Sequence, residues 1–413
     1  MSFTRPPATK NLTDRSAVVL DIGSRFTKLG FAGDFVPRFI LPTTANVSGA
    51  TTLPLSENSN QGDTKERDTL RQFIHDLYYS CLIVAPKERR VVCLESVLRP
   101  TAERRAIAAV LFEHFEVPSI LFAPSHLLAT MPFRAQTALV ADVGHQETLV
   151  LPISEGVPML NCWEASPVGG RQVHEQLRKM LLEQAQVLQR EGSKIEKSGL
   201  EPFLTDDLVE DVLTRCCFVT HAQRGAFYQK HINGDTSVTL PKPPPDVRYP
   251  LSAQRTLLVP GFVREYACES LFNTADVAQD ECKSVPQLIL DSVLRCPIDL
   301  RRPMLERLLI IGGVSMLPGF LARLKAELLD RLATSYAERL PTKDVRFFRF
   351  DTNAPIENYT AWLGGSLFGA TEILPYRSLS REEWQANGNR VPDWTDKIGD
   401  MYSELEIEHS RKG

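Results

Sequence analysis

No Cys-x-x-Cys pair occurs in this chain, and no cysteine stands with histidine at zinc-ligand spacing, which excludes the common structural zinc modules. The eight cysteines are Cys81, Cys93, Cys162, Cys216, Cys217, Cys268, Cys282 and Cys296. They sit mostly in apolar strings such as VVCLES and RCCFV, and read as reduced, buried thiols of a reducing compartment. No apolar run approaches the length of a membrane span. The opening MSFTRPPATKNLTDRS lacks the apolar core of a signal peptide. Basic excess is missing too: the formal net charge is −4, which speaks against nucleic acid or a membrane surface as partner. A cytosolic or nuclear protein is expected.

Apolar residues make up 43% and charged residues 24%, ordinary for a folded soluble chain, and 413 residues exceed one ordinary core, so two domains are expected. Residues 16–23, 26–33 and 38–42 read as three successive strands joined by turn residues. From Asp68, the positions Leu70, Phe73, Ile74, Leu77, Tyr78 and Cys81 follow helical spacing. RRVVCLES, PSILFAP and TALVADVG read as buried strands, and Thr101 as the cap of a helix through AERRAIAAVLFEHF. The mixture places the chain in the α/β class. Residues 43–67 are polar without either period and read as loop, 240–250 as a stiff proline-rich connector, and the segment from about Asp393 as a poorly ordered tail.

VVLDIGSRFTKLGFAGD (18–34) ends a strand on Asp21-x-Gly23 and continues into a second strand. ALVADVGHQETLVLPISEG (138–156) repeats the pattern with Asp142 and Gly144, as a duplicated α/β unit would. Glycine at such a turn admits an anion to the backbone, and two aspartates facing a cleft can hold hydrated Mg²⁺ beside phosphates. A third glycine element, LLIIGGVSMLPGF, places Gly312-Gly313 between a strand and a helix lined by Leu321, Leu324, Leu328 and Leu332. Simple turn capping and close packing remain the alternative for all of these residues, and His145 reads as a solvent-facing turn residue.

Together these motifs resemble the actin family, and in detail its actin-related proteins. DIGSRFTKLGFAGD resembles the first phosphate hairpin, ADVGHQETLVLPISEG the second, and IGGVSMLPGF the adenosine segment; ILDSVLRCPIDLRR and YTAWLGGSLFG match further family segments. The resemblance spans about residues 16–392. It implies an actin-like α/β fold, with duplicated RNase H-like domains around a nucleotide cleft, shared with Hsp70 and hexokinase. The small domain would comprise 1–132 and 360–413, with a reduced outer subdomain at 43–67 and a tail at 394–413. The large domain would comprise 133–359, with an outer subdomain at about 169–258. The nucleotide residues carried over are Asp21, Gly23, Ser24, Lys28, Asp142, Gly144, Gly312, Gly313 and Met316. The ligand implied is ATP or ADP, bound weakly or not at all, with Asp21 and Asp142 holding Mg through water.

The site departs from the family pattern. Arg25 replaces a glycine, and His145 and Gln146 replace an aspartate and a glycine. Ser125 and Leu149 stand where the family orders the attacking water with glutamine and histidine, so the resemblance implies a non-catalytic member. Leu213, Thr214 and Asn358 replace residues that contact the nucleotide. The 43–67 stretch is about half the length of the family's insert, whose mobile loop docks on the neighbouring protomer. The receiving face would draw on 126–133 and 367–384, which leaves a protomer that ends a filament. RRVVCLESVL, FEVPSILFAPSHLLA, LVLPISEGVPMLNCW, LILDSVLRCPID and NRVPDW narrow the resemblance to the actin-related proteins of the dynactin complex. The implied role is capping the pointed end of its short actin-related filament, in hetero-oligomeric contact with filament subunits and other pointed-end subunits. Segments 240–250 and 394–413 would be partner-binding, and the setting is cytoplasm and cytoskeleton, in dynein-driven movement along microtubules. Two readings stay open beside it: a nuclear actin-related subunit of a chromatin-remodelling complex, and an ATPase or sugar kinase of the wider fold, although no sugar-binding constellation is present.

Overall fold

The structure, a computed structural model, describes residues 15–43, 62–189, 194–195, 200–235, 237, 239–273, 282–340, 344–351 and 356–392. The chain forms two compact units. One takes Met1–Arg134 and Tyr359–Gly413, the other Ala135–Asn358.

The first unit is built on a six-stranded sheet. Its strands are β1 (Val18–Ile22), β2 (Phe26–Phe31), β3 (Phe39–Pro42), β4 (Val91–Glu95), β5 (Ser119–Pro124) and β15 (Leu379–Ser380), in the order β15-β5-β4-β1-β2-β3. The β1-β2-β3 meander is antiparallel, and β1, β4 and β5 run parallel. Strand β4 is buried along its whole length, as its unbroken apolar run requires. Helix α1 (Gly62–Asp76) continues into a wider π turn (Leu77–Leu82). Leu70, Phe73, Ile74, Leu77 and Tyr78 form its buried stripe against Val18, Leu20 and Leu29. Residues 62–67, which the polar composition assigns to loop, are therefore helical; tertiary packing of the stripe extends the helix backwards through polar sequence. Residues 44–61 and the tail from Asp393 lie outside the described residues.

Helix α2 (Thr101–Ala109) takes Pro100, not Thr101, as its cap. Proline's fixed φ and the absence of a side-chain cap bond set that boundary, and Thr101 is the first helical residue. Helices α3 (Ser125–Thr130), α11 (Thr360–Gly369), α12 (Leu374–Arg377) and α13 (Arg381–Ala386) complete the unit. Helix α11 is fully buried from Thr360 to Ser366. It approaches α3 so closely that a Cβ on Gly364 would lie 1.8 Å from the Leu128 carbonyl oxygen. Trp362 is wholly buried, rests against Gly30 and donates its indole N–H to the Val19 carbonyl at 3.2 Å.

The second unit holds a five-stranded sheet of β6 (Ala138–Val143), β7 (Thr148–Ser154), β8 (Val157–Pro158), β9 (Glu164–Ser166) and β14 (Leu308–Ile311). A four-stranded antiparallel sheet of β10 (Gln186–Gln189), β11 (Lys194–Ile195), β12 (Val247–Pro250) and β13 (Arg255–Val259) falls between β9 and β14 in the chain. Helices α4 (Gly170–Gln184), α5 (Asp206–Cys216), α6 (Ala222–Ile232), α7 (Gly261–Tyr266), α8 (Val285–Arg295), α9 (Ile298–Leu305) and α10 (Phe320–Ala333) surround them. One apolar core joins Leu139, Val150, Leu177, Leu288, Leu308 and Leu324. The proline-rich stretch has no regular secondary structure through 246 and becomes β12 at Val247. It is tied down: Gly261 N–H donates to Asp246, Arg264 donates to the Pro245 carbonyl, and a Cβ on Gly261 would lie 1.7 Å from the Pro244 oxygen.

Candidate functional site

In the first unit the candidate residues share one hairpin. Asp21 and Lys28 are cross-strand partners, and Lys28 Nζ lies 2.8 Å from Asp21 Oδ2. The turn between them is tight: Gly23 N–H donates to the Phe26 carbonyl at 3.2 Å, and a Cβ on Gly23 would stand 2.8 Å from that oxygen. Ser24 is exposed at the tip. Arg25 is half-buried and lies over the Phe26 ring. Two residues that sequence reasoning did not single out hold the turn. Thr43 donates its hydroxyl to the Gly23 carbonyl at 2.7 Å and its N–H to the Arg25 carbonyl at 2.9 Å. Arg99 donates to the Ile22 carbonyl at 2.5 Å. Neither carries a local motif, because each meets the hairpin only through tertiary structure. Ser125 opens α3, buried, with its hydroxyl oxygen 3.4 Å from His126 Nδ1.

In the second unit, Asp142 near the end of β6 pairs in register with Leu149 on β7. Leu149 is 2% exposed. Gly144 N–H closes the turn onto the Glu147 carbonyl at 3.0 Å. The turn's own carbonyls are covered by the first turn of α4, since Gly170 N–H donates to Gly144 O at 2.9 Å and Arg171 N–H to His145 O at 2.7 Å. This wedge requires two glycines. A Cβ on Gly169 would stand 2.7 Å from Gly144 O, and one on Gly170 would stand 3.0 Å from His145 Nδ1. Sequence reasoning passed over Gly169-Gly170, although paired glycines before an amphipathic helix were the signal used at Gly312-Gly313.

His145 is half-buried rather than solvent-facing. Its ring meets His174 edge-on at 5.2 Å between centroids, and His174 Nε2 lies 2.7 Å from Glu210 Oε2. Packing against α4 overrides the turn's polar character. Burial, and then the neighbouring Asp142, push the Glu147 carboxyl above the usual carboxylate range.

The glycine pair after β14 reaches the same place. Gly312 has φ +95°, and a Cβ there would lie 2.6 Å from Asp142 Oδ1 and 2.3 Å from the Val143 carbonyl. Gly312 thus packs its backbone directly against the Asp142 carboxylate and the Val143 carbonyl, where no side chain would fit. Gly313 is exposed, with Asn358 Oδ1 4.0 Å from its would-be Cβ, and Met316 is 36% exposed in the following 3₁₀ turn. Asp142, Gly144, Gly312 and Gly313 therefore converge within this unit. Leu213, by contrast, is a core residue at 4% exposure, and Thr214 folds its hydroxyl back onto the Glu210 and Asp211 carbonyls. Neither offers a group suited to a nucleoside. Among the described residues no cluster of three His, Cys, Asp or Glu side chains could ligate a metal directly, and no helix is long and apolar enough to cross a membrane.

Two hairpins of the same design, each ending its first strand on Asp-x-Gly, with a glycine-led turn against the second, define an actin-type fold. The actin family model matches residues 12–394, and the chain belongs to the actin family. Among curated proteins it is similar to actin-related protein 10 of Dictyostelium discoideum, 28% identical over 97% of this chain and 94% of that protein.

Proposed function

We propose that this protein is a non-catalytic actin-related subunit of the dynactin complex, closing the pointed end of its short actin-related filament together with other pointed-end subunits. In that role it supports dynein-driven movement along microtubules and resides in the cytoplasm at the cytoskeleton. The observation that carries the reading is Leu149. By the family resemblance it stands where a histidine would order the attacking water; it is buried and in register with Asp142. A hydrocarbon side chain cannot orient an attacking water, and phosphoryl transfer depends on such positioning. Ser125 at the companion position is short and buried. The filament-end part draws support from the span between Thr43 and α1. Only residues 44–61 remain there, because the helix already takes up 62–67.

The retained residues suit an adenine nucleotide with Mg, held weakly. Lys28 and the hairpin turn would meet phosphates, Gly312-Gly313 the adenosine, and Asp21 and Asp142 the ion through water. Asp21 is already neutralised by Lys28, which weakens its hold on an ion. The expected outcome with purified protein is phosphate release no faster than background. Millimolar Mg-ATP should move the melting midpoint by less than about 1 °C, the small shift mass action gives when ligand does not exceed Kd. Affinity purification followed by mass spectrometry should recover dynactin subunits; recovery of remodelling ATPases instead would overturn the assignment. Replacing residues 44–61 by a full-length actin-type insert, which leaves Thr43 and helix α1 in place, should abolish termination of filament growth, read by electron microscopy of filament ends.

A further inference from the structure

We propose that Cys162 and Cys296 are a redox-responsive pair, which a low-molecular-weight disulfide oxidises to an intramolecular disulfide that staples the connection before β9 to the end of α8. The eight cysteines are free thiols, and seven of them are buried. Burial alone makes a thiol an inert packing group. These two are set apart by where they meet.

Cys162 lies in the connection between β8 and β9. Its thiol donates toward the Arg295 carbonyl at 3.4 Å and the Asn161 side-chain oxygen at 3.3 Å. Cys296 follows Arg295 as the residue that ends α8, and its thiol donates to the Ser292 carbonyl at 3.4 Å. Ser292 in turn donates its hydroxyl to the Cys162 carbonyl at 2.8 Å. Arg295 Nε lies 2.6 Å from Glu164 Oε1, so an ion pair ties the same two segments together. The two thiols are hydrogen-bond neighbours of each other. The pair is also shallow. Both cysteines are buried, yet each stands between two exposed neighbours, Asn161 and Trp163 around one, Arg295 and Pro297 around the other. Local opening of this loop and of the last turn of α8 admits a small disulfide without unfolding the sheet.

The surroundings assign an order of attack. Burial pushes both thiols up, Cys296 to about 12 with the charge of Cys162 adding to it. The hydrogen bond between them lowers Cys162 and raises Cys296, and Arg295 lowers Cys162 further. Cys162 is therefore the attacking sulfur. It gives up its proton, bonds to one sulfur of the small disulfide and displaces the other as a thiolate, leaving a mixed disulfide. Cys296 gives up its proton, attacks the Cys162 sulfur and expels the second thiolate. Each expelled thiolate takes up one of the two protons, so two protein thiols are oxidised and one small disulfide is reduced to two thiols. Without such an oxidant the pair rests as a protonated dithiol. The closed loop is long, and its closure stabilises the second unit by restricting the unfolded chain. The inference does not depend on which complex the protein joins.

The test incubates the purified full-length protein with oxidised glutathione, blocks the remaining thiols and maps disulfide-linked peptides by mass spectrometry. The expected result is a Cys162–Cys296 link at least about tenfold above any other cysteine pairing, removed by dithiothreitol. The oxidised protein should melt about 4 °C or more above the reduced one. Cys296→Ser should hold one glutathione on Cys162, whereas Cys162→Ser should leave Cys296 unmodified. Absence of the Cys162–Cys296 link, an equal share of Cys217–Cys268 or of any other pair, or an unchanged or lower melting midpoint overturns the proposal. So does glutathione on Cys296 rather than Cys162 in the single variants. The wild-type peptide map decides the pairing whether or not the variants fold.

Discussion

Trp362 shows how much one side chain holds in place. It fills the space over Gly30, donates to the Val19 carbonyl, and belongs to a helix that arrives late in the chain. Trp362→Ala should cost about 3–5 kcal/mol of the first unit's stability, read by denaturant melting, because the cavity cannot close against rigid strands. Glu147 supplies a prediction with a pH signature. Its carboxyl titrates above the usual range because burial, and then Asp142, disfavour the charged form. The folded state therefore prefers the protonated acid, and the charged form is a burden at neutral pH that disappears as the pH falls through the raised value. Glu147→Gln should stabilise the protein at pH 7, and the gain over wild type should shrink as the pH falls through the raised value. A gain that grows on acidification would contradict the shift. At this scale the sequence was informative by identity alone, since Leu149 cannot hydrogen-bond and Ser125 is short, and the expectation of a non-catalytic member rests on those two side chains. It was silent on Thr43 and Arg99, whose partners in the hairpin are 20 and 77 residues away.

At the scale of elements, glycine placement decides which helices reach which strands. Gly364 lets α11 approach α3, and Gly169-Gly170 let α4 cap the second hairpin. Gly364→Ala should destabilise by about 1–3 kcal/mol, because the added methyl meets backbone rather than a movable side chain. Gly33→Ala should cost less, as the space around it is open and only its φ of +93° resists the change. Melting curves of the two variants would rank them. The strands were legible because apolar runs bounded by Gly, Asp and Ser are local signals, and β1, β2, β4, β5, β6 and β7 lie where those runs fall. The start of α1 was not legible. Its first residues are polar and become helical because Leu70, Phe73 and Ile74 bury a stripe further along. The burial of His145 was hidden for the same reason, since its partner His174 sits on a helix that only the fold brings near.

At the scale of the whole molecule, the second unit is one continuous segment, Ala135–Asn358, and the first is assembled from two. Residues 135–358 expressed alone should fold cooperatively, since their core cluster draws on no residue outside that span. Residues 1–134 alone should not, since they lack α11, Trp384 and β15, which seals the β5 edge. Circular dichroism melts of the two fragments would check both outcomes.

The late arrival of α11 also sets a timetable for synthesis. At about 5–20 residues per second, a ribosome needs roughly 10–50 s to make everything between Arg134 and Tyr359. Throughout that interval Val19, Leu94 and the α3 backbone await a lid that has not been translated, and the nascent chain carries an open apolar seam. A premature stop anywhere before Thr360 would leave that seam permanently uncovered, so truncated products should be aggregation-prone however well their second unit has folded.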